Sequence, residues 1–142
     1  DTNSGLLIEE FQPEIIRRVL SEGASRQMRQ VLQTVVQPDG TARRANVEGF
    51  TEGGKTGTAR KHNPIDGGYY TDKHTVSFAG MLPAENPAFV CVVVVDDPQT
   101  TNVKHGGGSM AAPIWKRIAE RTAAHMHLTP TEEISEQLTK NK

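Results

Sequence analysis

Nine consecutive residues, Gly53-Gly54-Lys55-Thr56-Gly57-Thr58-Ala59-Arg60-Lys61, hold three glycines, two threonine hydroxyls and the ammonium of Lys55. Apolar side chains are nearly absent, so core packing does not account for this composition. Glycine lets a ligand approach the backbone closely and leaves N–H groups free to meet it. A lysine beside two hydroxyls is a donor set for an anion, either carboxylate or phosphate. The plain alternative is a solvated Gly-Thr loop, and Lys55-Thr56-Gly57-Thr58 taken alone does not separate these readings.

The phosphate reading has a literal pattern behind it. Gly49-Phe50-Thr51-Glu52-Gly53-Gly54-Lys55-Thr56 fits G-x-x-x-x-G-K-[ST], the phosphate loop of nucleotide-binding proteins. Val92-Val93-Val94-Val95-Asp96-Asp97 imitates the apolar strand and acidic residue that hold magnesium in such proteins. Their context is a buried strand before the first glycine and a helix starting at the lysine, its N-terminus facing phosphate. Arg43-Arg44-Ala45-Asn46-Val47-Glu48 is too polar for that strand, and Thr56-Gly57-Thr58, with Pro64 and Gly67-Gly68 close behind, does not start that helix.

The elements that must position the segment are legible in part. A chain of 142 residues has room for one domain with a core. Sixteen basic against seventeen acidic side chains imply no nucleic-acid partner. The longest apolar run, Ala88 to Val95, is too short to span a bilayer. Its Cys91, the single cysteine, reads as a core thiol. The chain opens at Asp1 and its first methionine is Met28, which reads as a piece of something longer.

Residues 5–20 carry short apolar runs broken at Pro13, expected as two short strands or a strand and a loop. Met28, Val31, Leu32, Val35 and Val36 form the stripe of a core-facing helix over Ala24 to Gln37, capped by Ser21 and stopped by Pro38-Asp39-Gly40. Thr41 to Glu52 is polar, with weak strand character at Ala45-Asn46-Val47. Gly54 to Lys61 suits an extended strand with a ligand against its edge, and His62 to Asp72 a loop. His74 to Leu82 alternates as a half-buried strand with Val76 and Phe78 on one face. Ala88 to Val95 is expected as a central strand buried on both faces, and the short Pro83–Pro87 link makes the pair an antiparallel hairpin. Ser109 is placed to cap a final helix with Pro113 in its first turn. Ile114, Trp115, Ile118, Ala119, Thr122 and Met126 give that helix an apolar face to lay across the sheet. Thr129 to Lys142 is expected to be a mobile polar tail.

Lys55-Thr56-Gly57-Thr58 also fits K-[ST]-G-[ST], a motif of penicillin-recognising serine enzymes. Phe78-Ala79-Gly80-Met81-Leu82-Pro83, Val93-Val94-Val95-Asp96-Asp97-Pro98 and Gly107-Gly108-Ser109-Met110-Ala111-Ala112-Pro113 follow in order. Together, from about Phe11 to Met126, they resemble class B penicillin-binding proteins, and within these the septal, cell-division peptidoglycan D,D-transpeptidases. The resemblance implies an α+β fold, the C-terminal half of a transpeptidase domain of the kind shared with serine β-lactamases. In that fold helices pack on the faces of a five-stranded antiparallel sheet. Residues 1–128 would belong to the domain and 129–142 to the tail.

The implied reaction is acyl transfer at a D-Ala–D-Ala bond, with β-lactams as inhibitors and no cofactor or metal. Lys55 would supply positive potential and join the proton relay. Thr56 and Thr58 would donate to the substrate carboxylate, Gly57 would keep the surface flat, and the Thr58 N–H would serve as one oxyanion donor. The family's S-x-x-K and S-x-N motifs are absent, since no serine of this chain has a lysine three residues on. The isolated chain is therefore expected to be inactive and to need the N-terminal part of the same domain. The resemblance also implies a bacterial, extracytoplasmic (periplasmic) location, with a membrane tether in that missing region. A phosphate-loop protein and a non-catalytic peptidoglycan-binding fragment are the alternatives.

Other side chains carry less. His62, His74, His105, His125 and His127 show no metal-ligand spacing. Asp96-Asp97 reads as a strand end. Arg60 and Lys61 read either as attraction for an anionic glycan or peptide, or as a solvated strand end.

Overall fold

The structure, a computed structural model, describes residues 4–5, 12, 14–100 and 103–131. Most of the apolar runs expected near the N-terminus lie outside these residues, and 14–20 form neither helix nor strand.

Helix α1 spans Glu22–Gln33, and Ser21 caps it as expected: its backbone is extended and its hydroxyl accepts the Ala24 N–H at 3.1 Å. A 3-10 turn at Thr34–Val36 tightens its end ahead of Pro38. The apolar stripe is only partly core-facing. Val36 is buried and Leu32 and Val35 are half-buried, whereas Met28 and Val31 are 55% and 60% exposed. Between Thr41 and Glu52 the weak strand character gives way to a 3-10 turn at Arg43–Ala45. Its small residues drive it inward: Ala42, Ala45 and Val47 are buried, and the Ala42 N–H donates to the Val35 carbonyl at 2.8 Å.

Three strands, β1 (Gly53–His62), β2 (Tyr69–Leu82) and β3 (Phe89–Asp96), form an antiparallel sheet in the order β1-β2-β3. Thr56 pairs with Phe78, and Phe78 with Val93. Strand β2 begins at Tyr69 rather than His74, because the ladder resumes at His62–Tyr69 after a register shift. The expected loop shrinks accordingly to residues 63–68. The expected burial of β3 on both faces is corrected. It lies at the sheet's edge among the described residues, and it alternates: Val93 is buried, while Val90, Val92 and Val94 are 69%, 60% and 59% exposed.

Helix α2 (Ala112–His125) crosses the inner face of the sheet. It is entered through one turn of π-helix at Gly107–Ala111, so Ser109 sits inside that turn and does not cap α2. The Ser109 hydroxyl instead donates to the carbonyls of Gly106 and Lys104. Pro113 falls in the first turn of α2, as expected. Ala112, Trp115, Ala119 and Ala123 are buried, a narrower face than the sequence indicated, since Ile114, Ile118 and Met126 remain about 40% exposed. Trp115 is the keystone. Its ring meets Phe78 edge-on at 5.4 Å between centroids, and its indole N–H donates to the Cys91 carbonyl at 3.1 Å. A side chain at Gly80 would put Cβ 2.4 Å from the indole, so the missing side chain makes room for Trp115.

Beyond α2, the Thr131 N–H donates to the Gly49 carbonyl at 2.8 Å, and the Thr51 N–H donates to the Thr131 hydroxyl at 3.2 Å. The tail expected to be mobile is thus tied to the domain at its start; residues 132–142 lie outside the described residues. The C-terminal end of α1 reaches the opposite face of the sheet beside Gly53, giving an α+β architecture with helices on both faces.

Candidate functional site

Lys55-Thr56-Gly57-Thr58 lies in the middle of β1, which is an outer strand of the sheet among the described residues. Side chains of a strand alternate, and the register fixes which face each takes. Thr56 and Thr58 pair with Phe78 and Val76 and so share the α2 face. The Thr56 hydroxyl is 3.3 Å from that of Thr41, and the Thr58 hydroxyl accepts the Gly107 N–H at 3.3 Å. Lys55 takes the other face, exposed, with its ammonium donating to the Thr56 carbonyl at 2.8 Å. There it borders a shallow apolar depression of about 170 Å³ lined by Leu32, Ala79, Met81 and Val90.

Two glycines bring the turn and β2 onto β1. A Cβ at Gly57 would lie 2.4 Å from the Ser77 hydroxyl, so only a bare backbone lets Ser77 close on the strand. A Cβ at Gly107 would lie 2.1 Å from the Ser77 carbonyl and 2.8 Å from that of Gly57. The π-helical turn therefore meets β1 and β2 backbone to backbone. Arg44 holds the turn from outside by donating to the Ser109 carbonyl at 3.2 Å.

Thr41 and the glycines of the turn join the site without having been singled out as site residues. Thr41 carried no signal in the sequence. The run Gly106-Gly107-Gly108 did, because consecutive glycines ahead of a helix mark a place where backbone must approach closely.

The remaining polar candidates separate from this site. Lys61 bonds Asp96 at 2.6 Å, and Thr75 donates to the same carboxylate at 2.6 Å. The bond to Asp96 holds Lys61 above its ordinary pKa, and the bonds from Lys61 and Thr75 hold Asp96 below its own. His62 packs edge-on to Tyr69, and His74 to His105. His125 closes α2. Among the described residues no group of three or more His, Cys, Asp or Glu side chains is placed to hold a metal ion. No described helix is long and apolar enough to cross a membrane. Lys55 lies inside a strand of an antiparallel sheet, so the helix that a phosphate loop places at its lysine is not formed here.

This arrangement, an outer strand whose two hydroxyls share the face that the covering helix crosses, has a counterpart in known proteins. Residues 5–120 match the penicillin binding protein transpeptidase domain. The chain belongs to that family. It is 41% identical over 121 residues to penicillin-binding protein PbpB of Mycolicibacterium smegmatis, covering 81% of this chain and 18% of that protein. It is also 41% identical over 123 residues to stage V sporulation protein D of Bacillus subtilis, covering 87% and 18%. The probable peptidoglycan D,D-transpeptidase PenA of Neisseria gonorrhoeae is 33% identical over 141 residues, covering 94% and 23%.

Among solved structures, the transpeptidase domain of Burkholderia pseudomallei penicillin-binding protein 3 superposes with a TM-score of 0.74 at 38% identity, covering 84% of this chain and 35% of that one. Penicillin-binding protein 3 of Mycobacterium tuberculosis, solved with ampicillin, gives 0.74 at 34%, covering 86% and 28%. These relatives are class B penicillin-binding proteins, and the α+β fold here is that of their transpeptidase domain. The chain spans less than a quarter of the length of the curated relatives named here.

Proposed function

We propose that this chain is the C-terminal part of the transpeptidase domain of a peptidoglycan D,D-transpeptidase, with residues 1–128 in the domain and 129–142 a polar tail. The observation that carries the proposal is the row of hydroxyls on β1, Thr56 and Thr58 side by side on one face of an outer strand. A D-Ala–D-Ala peptide lies along this strand with its terminal carboxylate at the two hydroxyls, which donate to it. Gly57, between them in the chain, faces the other side and lets Ser77 close on the strand. In the tetrahedral state the Thr58 N–H and the N–H of the nucleophile stabilise the oxyanion, and Lys55 adds positive potential and joins the proton relay. β-Lactams, which carry a carboxylate beside a reactive amide, occupy the same strand.

The nucleophilic serine and its lysine come from the N-terminal part of the domain, because no serine of this chain has a lysine three residues on. The exposed Val90, Val92 and Val94 share a sheet face with Lys55, and this apolar surface is where the remainder packs. The family resemblance supports reading the full protein as one that acts on the outer face of a bacterial cell membrane, tethered through its N-terminal region, in septal wall synthesis.

The test is incubation of the chain with a fluorescent penicillin, alone and joined to the rest of its transpeptidase domain. Labelling only in the joined form, at a serine outside these 142 residues, and its loss in Lys55→Ala, is the expected result. Labelling of the isolated chain at one of its own serines, or magnesium-dependent nucleotide affinity abolished by Lys55→Ala, overturns the proposal.

A further inference from the structure

Each of the two threonine hydroxyls on β1 has a polar neighbour from outside the strand. At Thr58 it is the Gly107 N–H, 3.3 Å away, which can only donate. At Thr56 it is the Thr41 hydroxyl, 3.3 Å away, which can donate or accept. A hydroxyl has one proton, whereas a carboxylate can only accept. With a carboxylate against Thr56, the proton of Thr56 goes to the ligand, and Thr41 must then be the donor. Both hydroxyls reach the same state, each receiving one hydrogen bond and giving its own proton to the ligand.

The fold holds Thr41 in place for this. Ala42, which follows it, is fully buried, and its N–H donates to the Val35 carbonyl at 2.8 Å. Gly40, which precedes it, donates its N–H to the Gln37 carbonyl at 2.8 Å, and a Cβ there would lie 2.3 Å from the Val35 carbonyl oxygen. The Thr41 carbonyl is covered by the π-helical turn, since a Cβ at Gly108 would lie 1.8 Å from its oxygen. Arg44 ties the same stretch to the Ser109 carbonyl at 3.2 Å. The neighbour of Thr56 and the neighbour of Thr58 thus sit on two segments that are locked together. A hydroxyl that accepts a hydrogen bond is polarised by it and becomes a better donor to the next group.

We infer that Thr41 is a positioning residue: its hydroxyl donates to Thr56 and holds the Thr56 proton toward the carboxylate of the substrate or β-lactam. Thr41 touches no reacting atom and acts only through Thr56. The inference rests on the transpeptidase reading and deepens it by adding a residue to its carboxylate site.

The experiment measures acylation of the complete transpeptidase domain by a β-lactam with a free carboxylate and by its methyl ester, with denaturant midpoints alongside. Thr41→Val is expected to slow the acid about two- to tenfold, the scale of one hydrogen bond between neutral groups, and to leave the ester nearly unchanged. Thr41→Ser returns most of the loss. In a Thr56→Val background Thr41→Val costs nothing further, because the two hydroxyls act as a pair. Thr41 is exposed, and Thr41→Ala repeats the comparison should the branched valine disturb the turn. Unchanged or faster acylation by the acid, equal losses for acid and ester, no rescue by serine, or losses that add to those of Thr56→Val each overturn the inference. If Thr56→Val still slows the acid selectively, the transpeptidase reading stands without a role for Thr41. Absence of acylation in the unaltered domain defeats the two together.

Discussion

Gly107 donates its N–H to the Thr58 hydroxyl at 3.3 Å, from a turn whose backbone rests directly on β1. A threonine oxygen that accepts from the backbone keeps its own proton free to donate elsewhere. The turn therefore fixes the Thr58 hydroxyl with its proton free to donate, and it can do so only because residue 107 has no side chain.

Gly107→Ala is expected to destabilise the assembled domain by about 1–3 kcal/mol, the usual cost of overpacking, because its Cβ would meet backbone that cannot swing aside. Penicillin labelling should fall with it. Gly106→Ala is the control, since a Cβ there finds its nearest neighbour, the Ser109 hydroxyl, at 3.4 Å. Denaturant midpoints of the two variants check the difference, and equal shifts would contradict the close contact.

Thr58→Val keeps the shape of the side chain and removes its hydroxyl. Acylation by a β-lactam with a free carboxylate is expected to slow about tenfold or more, the scale of one lost charge-assisted donor. The methyl ester of the same compound should lose less. Equal losses for acid and ester would show that the hydroxyl does not meet the carboxylate.

The Lys61–Asp96 pair has a pH signature with two edges. Asp96 is held below its ordinary 3.8, so its contribution is complete above that value and is lost as pH falls through the lowered pKa. Lys61 is held above its ordinary 10.5, so its contribution is complete below that value and is lost as pH rises through the raised pKa. The difference in unfolding midpoint between the protein and Asp96→Asn should be flat between these values, shrink outside them and shrink in salt. Both groups are solvent-exposed, so the effect is small.

Ser21→Ala removes the hydroxyl that accepts the Ala24 N–H and should cost about 1 kcal/mol, read as a lower denaturant midpoint. Ser21→Asp should restore it, since aspartate caps equally well and its charge favours the helix N-terminus.

What the sequence made legible was set by periodicity. The Met28–Val36 stripe, the alternation through Val76 and Phe78, and the apolar residues around Trp115 each marked an element that formed where expected. Local composition misled where tertiary contacts decide. Ala45-Asn46-Val47 looks weakly extended, yet buried Ala42 and Ala45 draw it into a 3-10 turn. Ser109 looks like a cap, yet an extra π-helical turn carries it past that position. Val92-Val93-Val94-Val95 reads as buried throughout, and only the strand's place in the sheet reveals that its two faces differ. At the site, the hydroxyls of β1 were visible in the motif, whereas Thr41 reaches them through a fold that no short pattern encodes.

The keystone of α2 also makes the molecule self-reporting. Trp115 is the only tryptophan in the chain, fully buried against Phe78 and bonded through its indole N–H to Cys91 of β3. All indole emission of this chain thus arises from the junction of helix and sheet. A red shift of that emission signals α2 lifting from the strands, while an unchanged spectrum during ligand addition shows that binding along β1 leaves the packing of α2 on the sheet in place.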